Sequence, residues 1–199
     1  MGSIRESVIR EMQAALFIVD EIQSGCGRTG KFFSFEHFGI TPDIVCLSKS
    51  LSGFGIPMSM LLMKQSIDKW EPGEHNGTFR GTNYGFITGA EALKVYWSDN
   101  RFEKGLINKI NFFHKALLNL TQGYHTKILS YRALGLFAGL VFKDEKTTKA
   151  VQNFCFRNGL IIEVCGPDSN VLKFLPPINI DDVDLASGIS IIENALKTV

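Results

Sequence analysis

The chain has 199 residues, of which 45% are hydrophobic and 21% are charged, with a formal net charge of +1. This is the ordinary composition of a globular protein that can bury a sizeable core in one domain or two. The near-neutral charge, the lack of a Lys/Arg-rich block and the lack of a long apolar run argue against a nucleic-acid-binding or membrane protein, so we expect a cytoplasmic one.

The first predicted elements are a helix and two buried strands. Apolar residues at helical spacing predict a helix over residues 4–14. Residues 16–19 and 44–47 are continuous aliphatic runs, which are typical of strands buried on both faces of a parallel sheet. Asp20 follows the first run and Lys49 comes shortly after the second. Because ligands of open α/β sheets bind beyond the carboxyl ends of the strands, we expect Asp20 and Lys49 to face one crevice.

A lysine and a carboxylate in one crevice suit pyridoxal phosphate chemistry. Such an enzyme needs a lysine to hold the cofactor aldehyde as a Schiff base and a carboxylate to keep the pyridine nitrogen protonated. Once a substrate amine displaces it, the same lysine can act as general acid and base. From the two positions alone, the simpler interpretation is favoured, in which Asp20 caps a turn and Lys49 is an ordinary solvated lysine, because charged residues are common at strand ends.

The residues around this pair form several ordered motifs. Residues 20–30 read DEIQSGCGRTG, residues 48–53 read SKSLSG and residues 72–83 read PGEHNGTFRGTN. The first resembles the D-E-[VI]-Q-x-G-x-G-R-T-G signature of class III (ω-type) pyridoxal-phosphate aminotransferases, and the others follow at the family's spacing. The resemblance spans roughly residue 16 to the C-terminus. It is strongest to the diaminobutyrate–2-oxoglutarate aminotransferases of ectoine biosynthesis.

The resemblance implies an α/β fold of the fold-type I class of pyridoxal-phosphate-dependent transferases. Residues 1–125 would be the C-terminal part of the large cofactor-binding domain, and residues 126–199 would be a small α+β domain. The family's first half, with a glycine-rich phosphate loop and an aromatic residue that stacks on the cofactor ring, precedes the start of this sequence. The family also implies a homodimer or higher homo-oligomer with shared active sites.

The resemblance also implies a role for each matching residue. Lys49 corresponds to the Schiff-base lysine and Asp20 to the partner of the pyridinium nitrogen. Gln23 would contact the cofactor's phenolic oxygen, and Ile22 would form an apolar plate against the ring. Thr78 would reach the cofactor phosphate of the other subunit, since a threonine among glycines is a suitable anion ligand.

Three basic residues are candidates for anion binding. Arg28 and Arg80 could each grip a carboxylate or phosphate with a planar guanidinium, or could anchor a loop. Lys173 stands where many class III relatives carry the arginine that binds the substrate α-carboxylate. A lysine there offers a point charge without the bidentate fork, which still fits an anionic substrate.

The rest of the chain predicts a mixed pattern of strands and helices. A strand is expected over 58–63, a loop over 70–84 and helices over 86–97 and 101–120. The following strands are expected over 128–135, 136–142, 160–164 and 171–175, with helices over 146–158 and from 181 onward. This order predicts a small α+β domain beside the larger sheet, with a boundary near residue 125.

Three residue types lead to specific expectations. The phenylalanines at positions 32, 33, 35 and 38 either line a subunit interface or fill the domain's own core. The four cysteines are scattered without a C-x-x-C pair, and the four histidines show no ligand spacing. We therefore predict neither a metal site nor a disulfide framework.

The function expected from these residues is transfer of an ω-amino group between a diamino acid and 2-oxoglutarate or glutamate. The diamino acid would be 2,4-diaminobutyrate, with aspartate 4-semialdehyde as its keto counterpart. One alternative is another class III enzyme, either an aminotransferase of the ornithine or acetylornithine type or an aminomutase. The other alternative is a non-catalytic fragment. Without the family's first half the sheet would have exposed edges and the cofactor would lose several contacts, so the chain would bind nothing or would only associate with a partner through its apolar faces.

Overall fold

A computed structural model describes residues 15–199 of the chain. The predicted helix over residues 4–14 lies outside this range. The described residues form two compact units: residues 15–27 with 31–99, and residues 28–30 with 100–199. Within residues 15–199, no helix combines the length and the apolar character needed to cross a membrane.

The first unit is built on a three-stranded sheet in the order β1-β2-β3. Strand β1 (Ile18–Asp20) runs parallel to β2 (Ile44–Leu47), and β2 runs antiparallel to β3 (Met60–Met63). The prediction of two neighbouring parallel strands is confirmed. The apolar run that begins at Met58 also forms a strand, as predicted.

The expectation that the two parallel strands are buried on both faces is wrong. Val45 and Leu47 of β2 are buried, but Leu16 is 53% and Ile18 is 54% exposed. On the third strand, Leu61 is also exposed. The reason is that the chain segments between residues 15 and 99 cover only part of this small sheet, so its outer strands keep apolar side chains at the surface.

The first helix, α1 (Asn83–Trp97), packs close to the segment that follows β2. A Cβ atom at Gly53 would lie only 2.4 Å from Cβ of Ala92, and one at Gly89 would lie 3.0 Å from the carbonyl oxygen of Leu51. The two glycines therefore allow α1 to pack closely against this segment. Any larger residue at Gly53 would displace the helix.

A small core of four buried residues lies beneath this packing. Three of the loop phenylalanines, together with Met58, pack against it. Phe33 stacks on Phe35 with ring centroids 4.9 Å apart. Phe38 is exposed. Of the two alternatives for the phenylalanines, the unit's own core therefore accounts for three of them. The core residues are Cys26, Val45, Leu47 and Leu51.

The second unit contains the longest helix, α2 (Arg101–Gly123), and a four-stranded antiparallel sheet. Its strands are β4 (Ile128–Leu134), β5 (Phe137–Phe142), β6 (Glu163–Cys165) and β7 (Val171–Phe174), in the order β4-β5-β7-β6. Helices α3 (Glu145–Arg157) and α4 (Asp182–Thr198) complete it. This order agrees with the predicted α+β pattern.

The boundary between the compact units falls at residue 99, before α2, and not near residue 125. Helix α2 buries Leu106, Phe113, Leu117 and Leu120 in the core of the second unit, beside residues of β4 and α4. The domain limits predicted from the family therefore differ from the contact-defined units, because a helix with four core residues belongs to the layer on which it packs.

The segment at residues 28–30 also belongs to the second unit. The Leu136 amide donates to the Arg28 carbonyl oxygen at 2.9 Å. The Arg28 guanidinium in turn donates to the carbonyl oxygens of Leu136 and Pro176. Burial lowers the pKa of Arg28. Of the two alternatives considered for Arg28, these contacts favour the loop anchor.

Candidate functional site

The carboxyl ends of β1 and β2 carry the predicted acid and amine. The parallel register pairs Asp20 with Cys46, and Lys49 follows Cys46 by three residues. The Glu21 amide donates to the Cys46 carbonyl oxygen at 2.9 Å, so the two chain segments are still joined just beyond β1. Asp20 and Lys49 therefore leave the sheet at the same edge, as expected for a ligand site of this topology.

Lys49 has an unusual backbone conformation, with φ of 50°. A non-glycine residue in the left-handed region is uncommon and is enriched at functional sites. The preceding Ser48 is held by its hydroxyl, which donates to the Met58 carbonyl oxygen at 2.7 Å. Lys49 then opens a short 3₁₀ helix, Lys49–Ser52, which is capped by Gly53 in the left-handed conformation. The turn thus fixes the direction in which the lysine leaves the strand.

The Lys49 side chain is exposed, and among residues 15–199 it has no hydrogen-bond or ion-pair partner. On the other strand, Asp20 Oδ1 accepts a hydrogen bond from the Ile22 amide at 2.9 Å. Both groups are therefore open to a ligand at this edge. Ile22 and Gln23 are half-buried beside them.

Glu21 organises this edge, and sequence reasoning gave it no role. It is only 1% exposed. Its carboxylate accepts hydrogen bonds from the hydroxyls of Ser24 and Ser34 at 2.8 and 2.6 Å and from the amides of Ser34 and Phe35 at 3.1 and 3.0 Å. A buried carboxylate needs such donors to offset its lost hydration. Glu21 thereby ties Ser34 and Phe35 to the turn that carries Ile22 and Gln23.

Cys26 lies near this carboxylate but is not a candidate nucleophile. Burial, and then the charge of Glu21, raise the pKa of the Cys26 thiol to about 11. The thiol is therefore neutral at physiological pH and unreactive. All four cysteines are free. Within the described part of the chain, no group of three or more His, Cys, Asp and Glu residues is arranged to hold a metal ion.

Thr78 and Arg80 lie on the exposed segment between β3 and α1. Thr78 makes no hydrogen bond with any residue in the range 15–199. The Arg80 guanidinium contacts the His75 ring and donates to the Asn76 carbonyl oxygen at 3.3 Å, while His75 stacks on Trp70. The structure therefore does not join these residues to Asp20 or Lys49 by any contact.

Lys173 lies in the second unit, on β7. Its ammonium forms an ion pair with Glu163 of the neighbouring strand β6, with Nζ and Oε2 2.9 Å apart. The two residues stand directly opposite each other in the antiparallel register. The predicted anion-binding lysine therefore already has a counter-ion, which the sequence pattern did not reveal.

The edge formed by β1 and β2 can hold a cofactor that needs an amine and a carboxylate. An accessible lysine amine can condense with an aldehyde, and a carboxylate on the neighbouring strand can form an ion pair with a protonated ring nitrogen. The unpartnered Lys49 side chain and the open Asp20 carboxylate meet both requirements. The residues present thus fit pyridoxal phosphate.

Comparison with protein families agrees with this arrangement. The family model described as aminotransferase class III matches residues 7–196. A diaminobutyrate–2-oxoglutarate transaminase of Vibrio cholerae is 45% identical over 96% of the chain and 47% of its own length. A protein of the same name from Streptomyces avermitilis is 46% identical over 93% of the chain and 44% of its own length. The chain spans about half the length of these curated relatives.

Solved structures show the same fold. The acetylornithine aminotransferase of Elizabethkingia anophelis superposes with a TM-score of 0.85 at 28% identity, covering 98% of this chain and 51% of that one. The ornithine aminotransferase of Toxoplasma gondii gives a TM-score of 0.85 at 26% identity, over 98% and 46% of the two chains. The fold-type I architecture expected from the sequence is thereby confirmed.

Proposed function

Because the chain belongs to the class III aminotransferase family, we propose that it is part of a pyridoxal-phosphate-dependent aminotransferase. The observation that carries the proposal is the pair of open functional groups at one sheet edge: the exposed amine of Lys49 and the carboxylate of Asp20. Bound there, the cofactor would act as an electron sink for the substrate carbon that loses a proton.

Each residue at the edge has one part in this proposal. Lys49 would hold the cofactor through its Nζ atom and would serve as the group that moves a proton at the substrate carbon bearing the reacting amine. Asp20 would keep the ring nitrogen protonated. Ile22 and Gln23 would lie against the ring and its phenolic oxygen, and Glu21 holds the turn that carries them.

The proposed substrates follow from the names of curated relatives. Proteins named diaminobutyrate–2-oxoglutarate transaminase are 42–48% identical to this chain. We infer that this protein transfers the ω-amino group of 2,4-diaminobutyrate to 2-oxoglutarate, or the reverse from glutamate to aspartate 4-semialdehyde, as in ectoine biosynthesis. Lys173 and Arg80 would each bind a substrate carboxylate.

A second-subunit role for Thr78 is part of the same proposal. Its side chain is exposed on a glycine-containing segment and has no partner among residues 15–199, which suits a phosphate ligand for a neighbouring copy. The exposed apolar side chains of the first unit are consistent with a homodimer or a higher homo-oligomer. Four free cysteines suit a reducing compartment and hence a cytoplasmic protein.

The function is tested with the native protein, pyridoxal phosphate and a panel of amino donors. We expect glutamate to form from 2-oxoglutarate with 2,4-diaminobutyrate, and more slowly with ornithine or acetylornithine, in a reaction that Lys49→Ala slows by about 10³-fold or more. Lys64→Ala is the matched control, because this lysine of the same unit is bound to Asp43. Turnover by Lys49→Ala at a rate near that of the unsubstituted protein would contradict the proposal.

The same panel separates the alternatives. An aminomutase moves the amino group within one molecule and needs no keto acid, so product would form without 2-oxoglutarate. An ornithine-type enzyme would prefer the longer donors. A non-catalytic protein would give no product with any donor and no saturable binding of the cofactor.

A further inference from the structure

An aromatic stack lies on the segment of the first unit that carries Thr78. The rings of Trp70 and His75 are nearly parallel, with an interplanar angle of 6° and centroids 4.3 Å apart. Both residues are exposed, Trp70 by 51%. A stack of two exposed rings forms only where the ring contact offsets the side-chain freedom that is lost. The stack therefore restricts the conformation of the chain between the two residues.

Arg80 joins this stack to the turn that follows it. The Arg80 guanidinium contacts Nε2 of His75, and the histidine nitrogen is the acceptor, because an arginine side chain has donors only. The guanidinium also donates to the Asn76 carbonyl oxygen at 3.3 Å, and the Asn76 side-chain amide donates to the Gly73 carbonyl oxygen at 3.1 Å. Arginine has five N–H donors, so others are left for a ligand. These contacts fold the segment back on itself.

Thr78 occupies a central position of a four-residue turn. The Arg80 amide donates to the Gly77 carbonyl oxygen at 3.3 Å, which closes a turn with Thr78 and Phe79 in the middle. Thr78 is exposed, and Phe79 is 99% exposed. A Cβ atom at Gly77 would lie 3.2 Å from Nε of Arg80, so the arginine side chain lies against the start of the turn. Arg80 therefore holds the turn through its side chain as well as through its amide.

We propose that Trp70 and His75 are positioning residues for Thr78. Trp70 holds the His75 ring, His75 holds the Arg80 guanidinium, and Arg80 fixes the turn that presents the Thr78 hydroxyl to the cofactor phosphate of a neighbouring copy. A hydroxyl that is already ordered loses less conformational freedom on binding, so the affinity rises without a further contact. This inference rests on the proposed function, because it assumes that Thr78 contacts the phosphate.

The assignment separates the phosphate from the rest of the cofactor. Pyridoxal is the same aldehyde without the phosphate, so it can react with Lys49 but offers no phosphate to Thr78. A positioning effect that acts through Thr78 should therefore weaken the binding of pyridoxal phosphate and leave the binding of pyridoxal unchanged. A general disturbance of the fold should weaken the binding of both compounds equally.

The test is titration of the native protein and its variants with each compound, followed by absorbance. Trp70→Ala should weaken the binding of pyridoxal phosphate about fivefold, the scale of one aromatic stack, without changing the binding of pyridoxal. Thr78→Ala should likewise affect only the phosphorylated compound. In the double variant, Trp70→Ala should add no further loss to that of Thr78→Ala, because its effect acts through Thr78.

Conservative variants separate the ring stack from the ring nitrogen. His75→Phe keeps an aromatic ring against Trp70 but removes the acceptor of Arg80, so it should weaken the binding of pyridoxal phosphate as much as His75→Ala does. Trp70→Phe keeps the stack and should retain most of the affinity. His125→Ala is the matched control, because this exposed histidine of the second unit contacts only the Gln122 carbonyl oxygen, at 3.3 Å.

Three results would overturn the inference: unchanged binding of pyridoxal phosphate by Trp70→Ala, equal weakening of both compounds by this variant, or additive losses in the double variant. Each would leave the proposed function intact if glutamate still forms from 2-oxoglutarate and diaminobutyrate. Absence of transamination with every donor, while the effect of Trp70→Ala on the phosphorylated compound persists, would contradict the proposed function alone. Absence of saturable binding of either compound would contradict both.

Discussion

The two compact units differ in how much apolar surface they bury by themselves. The second unit has an extensive core that joins α2, α3, α4 and the four-stranded sheet. The first unit has a core of four residues and exposes apolar side chains such as Ile18, Leu61 and Ile87. Yet the first unit carries the signature motif and the proposed catalytic pair. The proposed catalytic residues thus lie in the first unit, whereas the larger hydrophobic core lies in the second.

This difference has a physical explanation in the sheets. An antiparallel sheet with helices on one face forms a complete two-layer unit by itself. Two short parallel strands with one antiparallel neighbour bury little area, and small units gain little from burial. The first unit therefore depends on polar contacts, such as those of Glu21, to fix its site.

The largest effect is expected from Lys49→Ala, which tests whether the chemistry belongs to the first unit alone. Loss of a group that both binds the cofactor and moves the proton should lower kcat by about 10³-fold or more. The thermal transition of the second unit should not change. A matching loss of stability there would mean that the substitution disturbs the fold, and the comparison would fail.

A core substitution in the second unit should have the next largest effect. Leu140 is fully buried, so Leu140→Ala should lower the free energy of unfolding by about 2–5 kcal/mol. Leu61→Ala, at an exposed position of the first unit, should change it by less than about 0.5 kcal/mol. Denaturant unfolding monitored by circular dichroism compares them, and equal losses would show that Leu61 is buried in solution.

Glu21→Gln sharpens the comparison within the first unit. The amide keeps the shape of the side chain but turns one acceptor into a donor facing the donors of Ser34 and Phe35. We expect a loss of about 1–3 kcal/mol in unfolding free energy and weaker cofactor binding. Glu36→Gln, in the same loop, is an exposed control. Unchanged cofactor affinity in Glu21→Gln would show that Glu21 does not contribute to the cofactor site.

The smallest effect concerns pH, and each unit offers one carboxylate. A hydrogen bond from Lys64 lowers the pKa of Asp43 in the first unit, and the Thr147 amide lowers the pKa of Asp144, which caps α3 in the second. A carboxyl pKa that is lower in the folded state stabilises the fold at neutral pH, and this contribution is lost as the pH falls through the folded-state pKa. Melting temperatures should therefore decrease on acidification.

Two substitutions apportion this pH dependence. Asp144→Asn should weaken the pH dependence of the melting temperature of the second unit only. Asp43→Asn should weaken the pH dependence of the melting temperature of the first unit. Thermal melts at about pH 7 and about pH 2 provide the measurement, because the lowered pKa values lie below the ordinary aspartate value. If both variants keep the slope of the unsubstituted protein, the two carboxylates do not contribute as described.

Sequence reasoning located the elements well where the signal is local. The run at residues 44–47 forms β2 over the residues expected, because aliphatic residues bounded by turn residues have few other options. The helix expected over 146–158 is observed as Glu145–Arg157. The strand expected over 160–164 is shorter, Glu163–Cys165, because only these residues pair with β7.

The parts of the candidate site that depend on distant contacts could not be predicted. The donors to Glu21 come from positions up to fourteen residues away, and nothing in the motif indicates them. The left-handed conformation of Lys49 follows no residue preference, since glycine is the usual choice there. The counter-ion of Lys173 depends on the register of β6 and β7, which only the fold provides.

The most direct test of the central claim is to locate the lysine that binds the cofactor. The native protein is mixed with pyridoxal phosphate, reduced with borohydride to make the lysine–cofactor bond permanent, digested and examined by mass spectrometry. The account predicts that the cofactor mass is carried by the peptide that contains Lys49 and is absent in Lys49→Ala. Labelling of another lysine in the unsubstituted protein, or no label at saturating cofactor, would contradict it.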